Sequence, residues 1–152
     1  MRRPRVVCET PVYKVMLVQD ASVPIPNRCV RAPEDAAKIV RDYLRGVDRE
    51  HFVGLYLNTA NNLITIHTVS VGTLNSSLVH PREVFKLALM VNAASVIVSH
   101  NHPSGNAEPS QEDIAIKKQL VEAGKILGVP IYDHVIVTEA NGFTSFAERG
   151  LI

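Results

Sequence analysis

The sequence has only two cysteines, Cys8 and Cys29, and they form neither a C-x-x-C pair nor a dense framework. A disulfide-stapled fold is therefore excluded, and a reducing, cytoplasmic setting is the simplest interpretation. No segment approaches the ~18 consecutive apolar residues of a membrane span. The basic start of the chain has no apolar stretch behind it, so we expect neither an export signal nor a membrane partner.

The chain also lacks a strong excess of either charge. It has 16 lysine and arginine residues against 15 aspartate and glutamate residues, for a formal net charge of +1. A whole-molecule field that attracts nucleic acid is therefore not indicated, which leaves a local patch as the route to such a partner. The candidates for that patch are the arginines near the N-terminus, Arg2, Arg3, Arg5, Arg28 and Arg31.

The length and the apolar content indicate one globular domain. With 152 residues, 46% of them hydrophobic, the chain can bury a core without disulfides. It is too short for the β/α units of an amidohydrolase-type barrel. It also lacks the H-x-E and P-C-x-x-C elements of the zinc nucleobase deaminases.

Hydrophobic periodicity predicts an α/β fold with about three helices around a mixed sheet. Helices are expected at 33–45, 81–93 and 111–127, the second of them buried on most sides. Strands are expected at 12–18, 52–58, 63–71, 95–99, 131–138 and 142–146, with a turn-rich crossover at 72–80. We therefore divide the chain into an N-terminal extension with one strand, residues 1–32, and a domain at residues 33–152.

Two histidines separated by one residue, His100 and His102, directly follow the apolar run at 95–99. In extended backbone, residues i and i+2 point to the same side, so both rings can face one ion. Pro103 favours extended backbone at His102. The alternative is a pair of solvated loop histidines, because many short motif matches are accidental.

The third predicted helix adds a carboxylate, Asp113. It shares one helical stripe with three apolar residues, Ile116, Leu120 and Leu127. Asp113 is therefore expected to point toward the core, where a cation beside the histidines would compensate its charge. The alternative is a capping box in which Ser110 is the N-cap, and the two interpretations are compatible.

Together, His100, His102 and Asp113 make a set of three protein ligands. Such a set leaves the fourth position of zinc to water, an arrangement typical of catalytic sites. The pKa of that water falls to about 7, which makes hydroxide available at neutral pH. The sequence thus predicts a Zn2+-dependent hydrolase.

These residues in this spacing resemble a known motif. His100-x-His102, seven residues, Ser110, two residues and Asp113 are similar to the JAMM motif of JAB/MPN-domain metalloproteases. The stretch 99–105 is similar to their bacterial RadC branch, and further blocks that resemble RadC proteins stand at 71–74, 80–83, 133–134 and 145–150. The resemblance covers residues 33–152 and implies a single JAB/MPN domain with a cytidine-deaminase-like fold. RadC-like proteins often carry a helix-hairpin-helix segment ahead of this domain, and none is recognised here.

The resemblance also implies a mechanism, the hydrolysis of a peptide or isopeptide bond in a protein or peptide substrate. An upstream glutamate acts on the zinc-bound water as general base and returns the proton to the leaving amine. Family position assigns this role to Glu50, whereas spacing alone leaves Glu83 and Glu112 as competitors. Ser110 would donate a hydrogen bond to the oxyanion.

The other four histidines are not assigned to the predicted metal site. His51, His67 and His80 share no short spacing with another donor, so we expect no ligand role for them. His134 is expected to pair with Asp133, either behind the metal ligands or as a purely structural element, and the alternative is that His134 is itself a ligand.

The alternative function is that of a DNA-repair-associated, RadC-like binding module with little or no turnover. Such a module would use the arginines near the N-terminus. Its binding would depend steeply on salt, because phosphate contacts would dominate it.

Overall fold

The computed structural model, which describes residues 9–72 and 79–152, is an α/β domain with one mixed sheet. Its helices are α1 (Pro33–Tyr43), α2 (Pro81–Met90) and α3 (Gln111–Leu127). Its strands are β1 (His51–Leu57), β2 (Leu63–Val71), β3 (Ser95–Asn101), β4 (Ile131–Val137) and β5 (Phe143–Ser145). The predicted fold class is confirmed.

The sheet places β3 at its centre, in the order β2-β1-β3-β4-β5. β1 runs antiparallel to both β2 and β3, and β5 runs antiparallel to β4. β3 and β4 are parallel, which requires a crossover, and α3 provides it. The continuous apolar run of β3 is typical of such an interior strand.

The sheet separates two apolar cores. One core packs α1 against alternate residues of the strands, among them Val53, Leu55, Ile97 and Val135. The other packs α2 and α3 against the opposite face, with Phe52, Val96, Val98, Ile116 and Leu120. Since side chains alternate along a strand, His100 follows Val96 and Val98 onto the face that α3 covers.

Helix α3 begins and ends with the predicted caps. Ser110 is its N-cap, and Gly128 ends it in the left-handed conformation at φ 69°. The buried stripe is Asp113, Ile116, Leu120 and Gly124. The inclusion of Leu127 in this stripe was wrong, since its side chain is 43% exposed. The stripe ends at Gly124, where a Cβ atom would lie 2.6 Å from the carbonyl oxygen of Val129.

Helix α2 is less buried than its composition predicts. Only Val84, Phe85 and Ala88 are buried within it, while Leu89 is 50% exposed. The prediction of a helix buried on most sides was wrong, because α2 lies on the outside of the sheet and offers one face to the core.

The predicted strand at 12–18 is also wrong. This segment has no strand or helix hydrogen bonding, and its apolar side chains are exposed. Among the described residues, backbone pairing with the sheet begins at Arg28, whose carbonyl oxygen accepts from the N–H of Leu63 at 2.7 Å, and at Cys29, which bridges to Asn62. Pro24 and Pro26 precede this bridge and have no backbone N–H to extend the pairing.

Some predictions fall on residues that the structure does not describe. They include Arg2, Arg3 and Arg5 of the proposed basic patch and most of the crossover at 72–80. Within residues 9–72 and 79–152, none of the helices has the length and apolar character needed to cross a membrane.

Candidate metal centre

The two histidines of the H-x-H pair lie at the carboxyl end of β3. The strand runs to Asn101, and the backbone N–H of His102 extends the pairing with a hydrogen bond to the carbonyl oxygen of Val137 at 2.9 Å. His100 and His102 therefore point to the same side. Their Nε2 atoms are 2.9 Å apart.

Asp113 reaches this pair from the first turn of α3. Its Oδ1 atom lies 3.2 Å from Nε2 of His100, and its Oδ2 atom lies 3.6 Å from Nε2 of His102. The capping box is present as well: the Ser110 N–H donates to Oδ2 at 2.8 Å, and the Asp113 N–H donates to the Ser110 hydroxyl oxygen at 3.1 Å. One carboxylate thus caps the helix and faces both imidazoles.

The separations of these donor atoms fit a tetrahedral ion. Ligand atoms about 2.0 Å from a tetrahedral zinc lie about 3.3 Å from one another, and the observed 2.9, 3.2 and 3.6 Å bracket that value. Within residues 9–72 and 79–152, His100, His102 and Asp113 are the group of potential metal ligands whose donor atoms converge. The cluster could therefore hold a metal ion.

The protonation states also suit a cation. Burial would raise the pKa of Asp113, but its hydrogen bonds with His100 and His102 hold that pKa well below its usual value. Burial lowers the pKa of His100, so this ring is neutral. The carboxylate of Asp113 raises the pKa of His102, whose proton a metal ion would have to displace.

Glu50 lies on the same face as the histidines. It precedes β1 directly, and Phe52, two residues further on, pairs with His100 and stacks on its ring at a centroid distance of 5.9 Å. Its charge is the smallest of the effects on the pKa of His100 and His102, after burial and the Asp113 carboxylate, and it favours the charged form of both rings. Glu50 also lines a cavity of about 530 Å³ with Gly72 and Pro103.

The competing glutamates lie elsewhere. Glu83 forms ion pairs on α2 with Lys86 at 2.8 Å and Arg82 at 3.6 Å. Glu112 is exposed, because it is adjacent to Asp113 on a helix and points away from the buried stripe. Ser110 is exposed beside the cluster, and since its oxygen accepts a hydrogen bond, its hydroxyl proton is available to a ligand.

Asn101, between the two histidines, was not predicted to have a role. Its Oδ1 atom accepts from the backbone N–H of His51 at 2.7 Å, and its Nδ2 atom donates to the carbonyl oxygen of Arg49 at 3.0 Å. These two bonds hold the backbone on both sides of Glu50. The alternation of side chains along β3 could have indicated this role. Asn101 lies between His100 and His102, so its side chain must point to the opposite face of the sheet.

The ligand rings are supported from behind. Nδ1 of His102 lies 2.7 Å from the carbonyl oxygen of Asn106, and Nδ1 of His100 lies 2.9 Å from Nε2 of His134. The predicted pairing of the His134 side chain with Asp133 was wrong, because adjacent residues of β4 point to opposite faces. Asp133 instead accepts from the backbone N–H of His134 at 2.7 Å.

The other three histidines lie apart from the three donors. Nδ1 of His51 contacts the carbonyl oxygen of Arg49, and His80 is the N-cap of α2. His67 is exposed on β2.

A larger cavity adjoins the centre on the side of α1. It has a volume of about 830 Å³, and its lining includes His102, Pro103 and Asn101 as well as Lys38 and Arg41 of α1. Pro103 also lines the smaller cavity beside Glu50. His102 therefore borders the larger cavity and Glu50 borders the smaller one, while His100 and Asp113 are buried.

Comparison with known proteins agrees with this geometry. The family model of the RadC-like JAB domain matches residues 30–151. A UPF0758 protein of Desulforamulus reducens is 51% identical over 133 residues, which are 87% of this chain and 58% of that protein. A UPF0758 protein of Shouchella clausii is 54% identical over 121 residues, 80% of this chain and 52% of that protein.

The chain therefore spans somewhat more than half the length of the curated relatives it matches. The names of these relatives indicate no activity. The family match covers most of the chain and includes the histidine pair, Asp113 and Glu50. On this evidence, the chain belongs to the RadC family and carries its JAB domain.

Proposed function

We propose that this domain is a zinc-dependent hydrolase of the JAMM type that cleaves an amide bond in a peptide or protein. The observation that carries the proposal is the convergence of Nε2 of His100, Nε2 of His102 and the Asp113 carboxylate at separations suited to a tetrahedral ion. A zinc ion bound there would supply a Lewis acid and a water molecule of lowered pKa.

Three residues around the cluster would then have separate roles in the reaction. Glu50, on the same face, accepts the proton of the attacking water and delivers it to the nitrogen of the leaving amine. The Ser110 hydroxyl donates a hydrogen bond to the oxyanion that forms on the scissile carbonyl. Asn101 keeps Glu50 in place through its bonds to the backbone at Arg49 and His51.

The test is peptide hydrolysis by zinc-loaded protein in water enriched in 18O. A mixture of peptides, including isopeptide-linked ones, is incubated with the wild type, and the products are identified by mass spectrometry. We expect new carboxyl termini that each carry one 18O atom. We expect Glu50→Gln to lower the rate at least 100-fold, an effect typical of losing a general base.

Two matched variants make the assay specific. Glu83→Gln and Glu112→Gln neutralise the competing carboxylates and should retain the wild-type rate. Full activity of Glu50→Gln would contradict the assigned base. A zinc-loaded wild type that cleaves none of the peptides would favour a binding module without turnover over the hydrolase.

A further inference from the structure

The two histidine ligands are held from behind by chemically different groups. A carbonyl oxygen can only accept, so the contact with Asn106 requires a proton on Nδ1 of His102. In the neutral ring, the Nε2 lone pair then faces the cluster. An imidazole nitrogen can either accept or donate. The contact with His134 therefore does not by itself decide which nitrogen of His100 carries the proton.

His134 sits in a closed apolar environment. It is fully buried, with the ring of Phe146 stacked on it at 4.4 Å and the ring of Phe52 edge-on at 5.6 Å. A charged ring would be costly in this fully buried apolar surrounding, so the ring is neutral. Its Nδ1 atom has no hydrogen-bond partner among the described residues. The surroundings therefore fix the position of the ring without fixing its tautomer.

We infer that His134 is a positioning residue for His100 and that the two rings form a coupled tautomer pair that changes state when the metal ion binds. This inference rests on the proposed function. Their 2.9 Å contact admits two neutral arrangements: both rings protonated on Nδ1, or both protonated on Nε2. A mixed pair would place two protons or two lone pairs in the same contact.

The surrounding acceptors favour a different arrangement in each state. Without the ion, Nε2–H of His100 can donate to Oδ1 of Asp113 at 3.2 Å, while Nδ1 accepts from His134. A cation at Nε2 of His100 requires the lone pair there, so the proton must sit on Nδ1 and be donated to His134. The shared proton then passes from Nε2 of His134 to Nδ1 of His100. The proton on Nε2 of His100 is released to solvent, and Nδ1 of His134 takes up one proton from solvent, so neither ring changes its charge.

This role differs from the usual support of a metal-bound histidine by a carboxylate or carbonyl group. A carboxylate behind His100 would add a second negative charge to the centre. A neutral imidazole orients the ring and adds none, so Asp113 remains the charged member of the set.

The first test compares zinc affinities by competition with a chromogenic chelator. His134→Phe retains an aromatic ring against Phe146 but has no acceptor for Nδ1–H, and we expect its affinity to fall about 10- to 100-fold. His134→Gln restores an acceptor and should recover most of the loss. His67→Gln, an exposed histidine far from the cluster in sequence, is the matched control and should bind as the wild type does.

The second test reads the tautomers directly, from long-range 1H–15N correlation spectra of the imidazole side chains at pH 8. We expect both His100 and His134 to be protonated on Nε2 without metal and on Nδ1 with zinc. Wild-type affinity in a folded His134→Phe would overturn the positioning role. Unlike tautomers in the two rings would overturn the pairing.

These measurements also separate the inference from the proposed function. A wild-type protein that binds no zinc would contradict the hydrolase. The metal-free spectrum would then still decide the pairing, since like tautomers support it and unlike tautomers overturn it. If His134→Phe does not fold, the wild-type spectra and His134→Gln carry the test.

Discussion

Two buried aspartates, Asp113 and Asp133, lie on opposite sides of the same sheet and have different surroundings. The carboxylate of Asp133 accepts from the Ser145 hydroxyl at 2.5 Å and from the backbone N–H groups of His134 at 2.7 Å and Ala147 at 2.9 Å. Its acceptor capacity is met by neutral donors of the protein itself. Asp133 thus fixes the end of the chain against β4.

Asp113 has one backbone donor, the N–H of Ser110, and otherwise faces two imidazole nitrogens. When their Nδ1 atoms carry the protons, His100 and His102 present lone pairs rather than donors to the same point as the carboxylate. That arrangement lacks a positive charge, which a metal ion would supply. The comparison indicates that burial alone does not single out a candidate metal ligand, whereas a buried carboxylate that faces two imidazole nitrogens is one.

The largest expected effect is the loss of zinc from Asp113→Asn. Removing the charged ligand should lower zinc affinity about 1,000-fold, or ~4 kcal/mol. An equal loss of zinc affinity in Asp133→Asn would contradict the distinction drawn between the two aspartates. Competition titration of both variants beside the wild type measures the difference.

The second effect is on stability and concerns Asp133→Ala. This variant leaves the Ser145 hydroxyl and the backbone N–H groups of His134 and Ala147 without their acceptor, so the free energy of unfolding should fall by about 3 kcal/mol. Urea denaturation measures it. The folded fraction should still bind zinc in the wild-type amount, because Asp133 does not contact the cluster. Loss of zinc from the folded variant would contradict the separation of the two sites.

The pH dependence of stability should have opposite signs at the two aspartates. Because the pKa of Asp113 is lowered in the folded protein, its contribution is complete above the unfolded-state pKa of about 3.9 and is lost as the pH falls toward the folded-state value. Burial raises the pKa of Asp133, so the folded state binds that proton more tightly and gains stability as the pH falls through its folded-state pKa.

Urea denaturation of the metal-free protein between pH 3 and pH 7, as rough limits, tests these signs. Relative to the wild type, Asp113→Asn should lose less stability on acidification, and Asp133→Asn should lose more. The expected differences are on the order of 1 kcal/mol. Parallel curves for the three proteins would show that the two carboxylates titrate alike in the fold.

The smallest effect is expected at an exposed carboxylate, Glu108, in the loop that follows His102. Arg149 donates to both of its oxygens at 2.7 and 2.8 Å, but both side chains are largely in water. Exposed ion pairs contribute little to stability. Glu108→Gln should therefore leave the midpoint of urea denaturation unchanged, and a large shift would show that this pair holds the loop in place.

The convergence of His100, His102 and Asp113 could be predicted from the sequence because it depends on local periodicity. Alternation along β3 puts His100 and His102 on one side, and the period of α3 turns Asp113 toward the core. The alternation of adjacent residues also separates Asp133 from His134. The predicted pairing of those two side chains was wrong because it followed proximity in sequence rather than the faces of the strand.

The contacts that sequence reasoning missed depend on pairing between distant segments. Asn101 meets the backbone around Glu50 through the antiparallel register of β1 and β3, and His134 meets His100 through the parallel pairing of β3 and β4. The wrong strand at 12–18 has the same origin. Its composition suits a strand, but whether a partner strand lies beside it is a property of the whole sheet.

The most direct test of the metal centre is the zinc content of protein that has been loaded and then dialysed, measured by inductively coupled plasma mass spectrometry. We expect about one zinc per chain in the wild type and in His67→Ala. We expect almost none in His102→Ala and Asp113→Ala. A wild type without zinc, or full occupancy in both ligand variants, would contradict the assignment of His100, His102 and Asp113 as a metal site.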